Sequence, residues 1–141
     1  MADAVTKVVV LDSPIYHTIH MTNISDGTGE SNVIKIDKST LLGPGNIEPS
    51  CLDIQVVRWA VQGFSYVKLA WDHTTDDTGM VLCNSGFDDF RFDVDHKDAP
   101  FNAANRDPRS AGGTGDMLLT TAGAVSGASY DITLMVRKTA G

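Results

Sequence analysis

The sequence has no segment that would cross a membrane and none with a clear helical pattern. A membrane-spanning helix needs roughly 20 consecutive apolar residues, and no stretch approaches that length. The apolar run near the start, residues 8–11, is too short for the hydrophobic core of a signal peptide. No segment repeats apolar residues at the spacing of an amphipathic helix. We therefore expect neither a membrane partner nor a helical domain.

Cysteine and positive charge are both scarce. Cys51 and Cys83 are far apart and lack the CxxC spacing of zinc and redox sites. Without a signal peptide, two buried thiols are expected rather than a disulfide. Eleven basic and eighteen acidic residues give a formal net charge of −7, and the basic residues form no run. Because nucleic-acid binding requires Lys and Arg to neutralise phosphates, we expect no nucleic-acid partner.

Catalytic signatures are missing as well. The sequence contains no HExxH, no GxSxG and no GxxxxGK[ST] phosphate loop. Cys83 precedes an Asn-Ser-Gly turn, and we interpret it as a small buried hydrophobic residue rather than a nucleophile. A carboxylate pair for glycoside hydrolysis is defined by a distance in space, so sequence leaves that alternative open. We predict a protein that is not an enzyme and has no cofactor.

The sequence does contain short runs of β-branched and aromatic residues that alternate with polar ones. Turns rich in Gly, Pro, Asn and Asp separate these runs, which is typical of all-β proteins. The pattern predicts about eight or nine short strands in one domain spanning residues 1–141, folded as an antiparallel β-sandwich or jelly roll. The predicted strands are residues 6–11, 15–24, 32–37, 52–71 (as a hairpin around Gly63), 80–83, 87–94, 115–121 and 130–138.

Two of these strands carry detailed predictions. In the last one, alternation places Tyr130, Ile132, Leu134 and Val136 on the core face. In residues 52–61 the apolar positions change parity between Val56 and Val57, which predicts a bulge or a strand that is buried on both faces. The hairpin 52–71 is expected to form the centre of the core. In residues 32–37, Ile34 and Ile36 are expected to share one face.

Two segments are predicted to make contacts. Residues 97–115 contain two prolines and three glycines without periodicity, and a loop of this length is expected to be either a functional contact loop or locally disordered. Residues 1–7 are a candidate N-terminal arm.

Histidine and aspartate are the candidate metal ligands. His17 and His20 are three residues apart, so on a strand they point to opposite faces and would not share an ion. Two acidic clusters could hold calcium, but neither has EF-hand spacing. They consist of Asp72, Asp76 and Asp77, and of Asp88, Asp89, Asp93, Asp95 and Asp98. We interpret them as solvated loops and predict no metal site, with calcium as the alternative.

The two tryptophans have different expected environments. Trp71 is in phase with Val67 and Leu69, which favours the core. The parity change leaves the orientation of Trp59 open, so Trp59 is a candidate for stacking against a sugar ring.

Two strings resemble a family of small, uncharacterised proteins encoded by tailed bacteriophages. They are VVRWAVQGFSYVKLAWDHTTDDTGMVL (residues 56–82) and DPRSAGGTGDMLLTTAGAVSGASYDITLMVRK (residues 107–138), together somewhat under half of the chain. The resemblance implies a virion structural protein of the capsid decoration (cement) type. Such a protein would bind the major capsid protein on the capsid exterior, after assembly in the host cytoplasm. Placement at symmetry axes would favour a homotrimer.

Within the long loop, we expect the capsid contacts to be made by Asn102, Asn105, Arg106, Asp107 and Arg109. The alternative function is a receptor-binding or carbohydrate-binding module of a phage tail or fibre. In that case Trp59 would contact the glycan.

Overall fold

The computed structural model describes residues 3–82, 86–91, 105–106 and 112–139, and these residues form two antiparallel β-sheets. The strands are β1 (Ala4–Asp12), β2 (Tyr16–Asp26), β3 (Val33–Ile36), β4 (Cys51–Gln62), β5 (Tyr66–Trp71), β6 (Asp77–Leu82), β7 (Gly86–Arg91), β8 (Asn105–Arg106), β9 (Met117–Ala122) and β10 (Ser126–Thr139). Two short 3-10 turns, Lys38–Thr40 and Pro44–Asn46, lie between β3 and β4. The predicted all-β sandwich is confirmed, with ten strands in the described residues, whereas jelly-roll connectivity stays a prediction.

The first sheet has the order β1-β2-β10-β4-β7, and β8 also pairs with β4. The second sheet has the order β3-β9-β5-β6. The last strand, β10, is therefore central and pairs along its length with both β2 and β4. This arrangement brings residues from the two ends of the chain together.

The core lies between the sheets and contains the residues that alternation placed there. Tyr130, Ile132, Leu134 and Val136 on β10 are at most 2% exposed, as predicted. Trp71 on β5 is also buried, which confirms its predicted place in the core.

The parity change in β4 is a bulge, as predicted. Met135 of β10 lies opposite Val56, whereas the next residue, Val136, lies opposite Ile54. Gln55 is therefore the extra residue, and the side chains before and after it can both reach the core. Ile54 on one side and Val57 on the other are fully buried.

The predicted hairpin over residues 52–71 is wrong. β4 belongs to the first sheet and β5 to the second, so the chain crosses from one sheet to the other after Gln62. Gly63 makes this turn with a φ of 86°, and a Cβ atom there would lie 2.9 Å from Ala128. Turn residues between two apolar runs predict that the chain reverses its direction. They do not show whether the next strand pairs with the previous one in the same sheet or lies across the core in the other sheet.

Both predicted contact segments are partly strand. Residues 4–7 of the candidate arm belong to β1, where Ala4 lies opposite Ile24 and Lys7 opposite Met21. In the predicted loop 97–115, Asn105 pairs with Ile54, and Arg106 pairs with its neighbour Asp53. Residues 1–2, 97–104 and 107–111 lie outside the described part of the chain.

Candidate functional site

β1 is an edge strand whose side chains are exposed along its whole length. Within the described residues it pairs with β2 alone. Its five large apolar side chains are 40–62% exposed; they are Val5, Val8, Val9, Val10 and Leu11. Lys7 Nζ donates to the Lys35 carbonyl at 2.7 Å, so β1 lies beside β3 of the second sheet. With four residues, β3 is too short to cover a strand of nine.

This edge has few of the features that keep edge strands from pairing. Proteins commonly protect an edge with charged side chains, proline or a bulge, because its unpaired N–H and C=O groups can accept another strand. Lys7 is the only charged residue between Ala4 and Leu11. A bulge at Val10 interrupts the pairing with β2, and this side chain is the most exposed of the five large apolar ones. β1 therefore presents an apolar surface and a free backbone edge to a partner.

Asp3 fixes the start of β1 to the turn after β2. Its carboxylate accepts hydrogen bonds from Asn23 Nδ2 and Ser25 Oγ at 3.1 Å, and from the backbone N–H groups of Asp26 and Gly29 at 3.2 Å. Burial raises the pKa of the Asp3 carboxyl, but these hydrogen bonds outweigh it and lower the pKa overall. The ionised Asp3 carboxylate therefore ties the residue that precedes β1 to the end of β2 and the turn that follows it.

Lys138 fixes the end of β1. Its buried Nζ donates to Asp12 Oδ1 at 2.6 Å, to the Ser13 carbonyl at 2.7 Å and to the Leu42 carbonyl at 2.8 Å. An ammonium group has three N–H donors, and all three are used. The hydrogen bond from Lys138 lowers the pKa of the Asp12 carboxyl, against the opposing effect of burial. β1, β10 and the segment before β4 are joined at this point.

The two histidines of β2 face opposite sides, as predicted. His17 is buried, and its Nδ1 lies 3.2 Å from Asp12 Oδ1. Burial lowers the pKa of the His17 imidazole, although the contact with Asp12 partly opposes this. His20 is exposed on the outer face, with its Nε2 2.7 Å from Asp131 Oδ1.

A second polar cluster is enclosed between the sheets, around the carboxylate of Glu30. Glu30 Oε2 lies 2.7 Å from Lys35 Nζ. Glu30 Oε1 accepts hydrogen bonds from Asn23 Nδ2 at 2.8 Å and from the Tyr130 hydroxyl at 2.5 Å. The side chains of Lys35 and Glu30 are 3% and 5% exposed, and Asn23 is fully buried. Burial, with the hydrogen bond to Glu30, raises the pKa of Tyr130.

A bulge in β3 turns Lys35 into this cluster. Ile34 lies opposite Leu118 of β9, whereas Ile36 lies opposite the adjacent residue, Met117. Lys35 is the extra residue. The prediction that Ile34 and Ile36 share a face is therefore wrong: Ile34 is 50% exposed and Ile36 is 1% exposed.

A groove of about 750 Å³ lies on the outer face of the first sheet. Its polar lining residues include Thr6, Thr22, Gln62, Ser129 and Asp131. They lie side by side because β1, β2, β10 and β4 are adjacent strands. Ala4, Ile24 and Ala60 line it as well, and most of its surface is apolar, so the groove offers a few hydrogen-bonding groups on an apolar floor.

The described members of the sequence-predicted contact set do not lie at this groove. Asn105 and Arg106 form β8, at the other side of the first sheet from β1, and Asn102, Asp107 and Arg109 lie outside the described residues. Trp59 lies opposite Ile132 and packs against the core.

Asp72 and Asp76 of the first predicted calcium cluster take part in loop contacts, and Asp88 and Asp89 of the second lie on β7. Asp72 accepts from Thr114 Oγ1 at 2.8 Å, and Asp76 accepts from the His73 N–H at 3.1 Å. No group of three potential ligands that could hold a metal is found in the part of the chain that the structure describes. Asp93, Asp95 and Asp98 lie outside it.

Sequence reasoning missed the buried polar residues, although some of them carry a signal. Asn23 continues the inward series of Ile19 and Met21, and Lys138 continues that of Leu134 and Val136. A polar residue in phase with a core face must be hydrogen-bonded when it is buried, so this pattern marks a polar cluster.

No protein-family model matches the chain, and no curated protein matches it. No helix among the described residues is long and apolar enough to cross a membrane. The function therefore has to be inferred from the residues and the fold of the chain itself.

Proposed function

We propose that this protein is a non-enzymatic structural component of a phage virion. Its role would be that of a capsid decoration (cement) protein, which binds the major capsid protein on the exterior of the head. The observation that carries the proposal is β1, an anchored edge strand with five exposed apolar side chains. The resemblance of residues 56–82 and 107–138 to phage virion proteins supports the same function.

β1 has the properties of a binding strand. A segment of the capsid protein that pairs with its free edge would satisfy the unpaired backbone groups and cover Val8, Val9 and Leu11. Each of these side chains is about half exposed, so covering it contributes on the order of 1 kcal/mol. Because Asp3 and Lys138 hold both ends of β1, little ordering is needed when the partner binds.

The opposite side of the first sheet supplies a second contact region. β8, with Asn105 and Arg106, pairs with β4 there, and these two residues belong to the predicted capsid-contact set. A contact between this side of one copy and a different surface of the next would be heterologous, and three such contacts close a ring. A homotrimer closed in this way is part of the same proposal.

The location is tested by gold labelling of intact phage particles with an antibody to this domain. Particles from a phage whose gene for the chain is deleted serve as the control. The proposal expects label spread evenly over the head. The absence of label from every particle would overturn the virion assignment.

A second candidate is glycan binding by a tail or fibre module, and the outer groove is the observation that favours it. Thr22, Gln62 and Asp131 offer hydrogen-bonding groups on this face. The position of Trp59 on the core side of β4 separates it from this groove, so the tested residue is Asp131. Gold label at the tail, together with glycan binding that Asp131→Ala removes and Arg137→Ala retains, would favour this function over capsid decoration.

A further inference from the structure

The enclosed cluster brings together the three groups that amide formation between two side chains requires: an amine, a carboxamide and a carboxylate between them. We propose that Lys35 and Asn23 join in an intramolecular isopeptide bond, with Glu30 as the catalytic residue. The inference does not depend on the proposed virion function, since the reaction takes place within one chain.

The Lys35 amine and the Asn23 carboxamide both contact the same carboxylate, that of Glu30. Lys35 Nζ lies 2.7 Å from Oε2 of Glu30, and Asn23 Nδ2 donates to Oε1 of the same group at 2.8 Å. A proton can therefore pass from the amine to the amide nitrogen through one carboxyl group, at hydrogen-bond distance on both sides.

The surroundings favour this reaction over hydrolysis. All three side chains are at least nine-tenths buried, so water is largely excluded from the reacting atoms. The strands also hold the groups together before the reaction, which lowers its entropic cost. Asn23 lies on β2 and the bulged Lys35 on β3, so the new bond would link the two sheets.

Each step of the reaction balances in atoms and charge. The Lys35 ammonium gives one proton to Glu30, and the amine lone pair then forms a bond to Cγ of Asn23 while the carbonyl electron pair moves to Oδ1. The carboxyl group of Glu30 gives its proton to Nδ2 and takes a second proton from Nζ. When the electron pair returns from Oδ1, the C–Nδ2 bond breaks and ammonia leaves. The products are a secondary amide, free ammonia and a protonated Glu30.

Neighbouring residues assist both ends of this reaction. Asp3 Oδ2 accepts a second hydrogen bond from Asn23 Nδ2 at 3.1 Å, so two carboxylates contact the nitrogen that leaves. The Tyr130 hydroxyl donates to Glu30 Oε1 and holds the carboxylate in place. Asn23 Oδ1 has no hydrogen-bond partner among the described residues.

The other buried lysine provides a matched control. Lys138 Nζ is as well buried as Lys35 Nζ, but it contacts a carboxylate and two backbone carbonyls. It should therefore remain a free amine, while Lys35 reacts.

The test is the intact mass of the full purified chain under denaturing conditions, followed by peptide mapping. We expect a mass lower than that of the sequence by one ammonia, and a branched peptide that joins Asn23 to Lys35. Lys35→Arg and Glu30→Gln should restore the full mass, and Lys138→Arg should retain the loss. A full mass for the unaltered chain overturns the proposal, whether or not any variant folds. A loss that persists in Lys35→Arg would also overturn it, because it would indicate a succinimide at Asn23.

Discussion

β1 and β10 lie on either side of β2, and both are strands rich in apolar side chains, yet their environments are opposite. On β10, Ile132, Leu134 and Val136 are fully buried. On β1, Val8 and Val9 are more than half exposed. β10 is at the centre of its sheet, between β2 and β4, whereas β1 is at the edge, beside the short β3.

The difference shows that the position of a strand in the sandwich, rather than its composition, decides what it contributes. β10 holds the sheets together by burying apolar surface. β1 is held by its backbone pairing with β2 and by polar anchors at its two ends, Asp3 and Lys138. Its apolar side chains contribute little to folding and remain available to a partner. Four changes test this comparison.

The largest effect is expected in β10. Leu134→Ala removes most of a side chain that is fully buried, and it should lower the free energy of unfolding by about 2–5 kcal/mol. Denaturant unfolding, followed by tryptophan fluorescence, measures the change. A loss below about 0.5 kcal/mol would mean that β10 does not carry the core.

The anchor at the end of β1 should matter less. Lys138→Met leaves the Ser13 and Leu42 carbonyls without their donor, and it should cost about 1–3 kcal/mol. Lys138→Arg, which keeps the charge and donors, is the control and should lose less. Amide hydrogen exchange should accelerate at the end of β1 near Asp12 in the Met variant. Unchanged exchange there would show that Lys138 does not anchor the strand.

The same anchor makes stability depend on pH. The folded pKa of His17 lies below its ordinary 6.5, so the unfolded chain binds more protons as the pH falls below that value. Stability should therefore decrease as the pH falls. Asp12 affects stability at lower pH. Its contribution to the free energy of unfolding is fully present above its ordinary pKa of 3.8 and is lost as the pH falls through the lower pKa of the folded state.

Thermal unfolding midpoints between about pH 8 and pH 5 report on the histidines, because histidine is the only side chain with an ordinary pKa in this range. The share of His17 is separated by its own variant. His17→Gln should flatten the decrease. An equal slope in the His17 variant and the unaltered chain would contradict the assignment.

The smallest effect on stability is expected on β1. Val10→Lys, at the most exposed of the five large apolar positions of the strand, should change the free energy of unfolding by no more than about 0.5 kcal/mol. Denaturant unfolding of this variant and of Leu134→Ala under the same conditions compares the free-energy losses on the two strands. A loss as large as that of Leu134→Ala would mean that β1 belongs to the core after all.

The sequence predicted what local alternation determines. The inward face of β10, the core position of Trp71, the opposite faces of His17 and His20 and the bulge in β4 all follow from the period of two. The exposure of β1 could not be predicted in this way, because it depends on which strand of the other sheet lies opposite.

The enclosed cluster was beyond sequence reasoning for a related reason. A bulge at Lys35 reverses the expected orientation, and nothing in the run Val33–Ile36 marks its position. Glu30 lies outside any strand and reaches the cluster because its backbone bonds to Thr121 of β9. The separation of β4 and β5 into different sheets likewise depends on long-range pairing.

The most direct test of β1 as the contact strand is co-sedimentation of the purified chain with phage heads that lack it. The variants are Val10→Lys on β1 and Val81→Lys on β6, which is exposed on the edge strand of the other sheet. We expect Val10→Lys to reduce the bound amount severalfold or more and Val81→Lys to bind like the unaltered chain. Equal binding of the Val10 variant and the unaltered chain would contradict the claim that β1 carries the capsid contact.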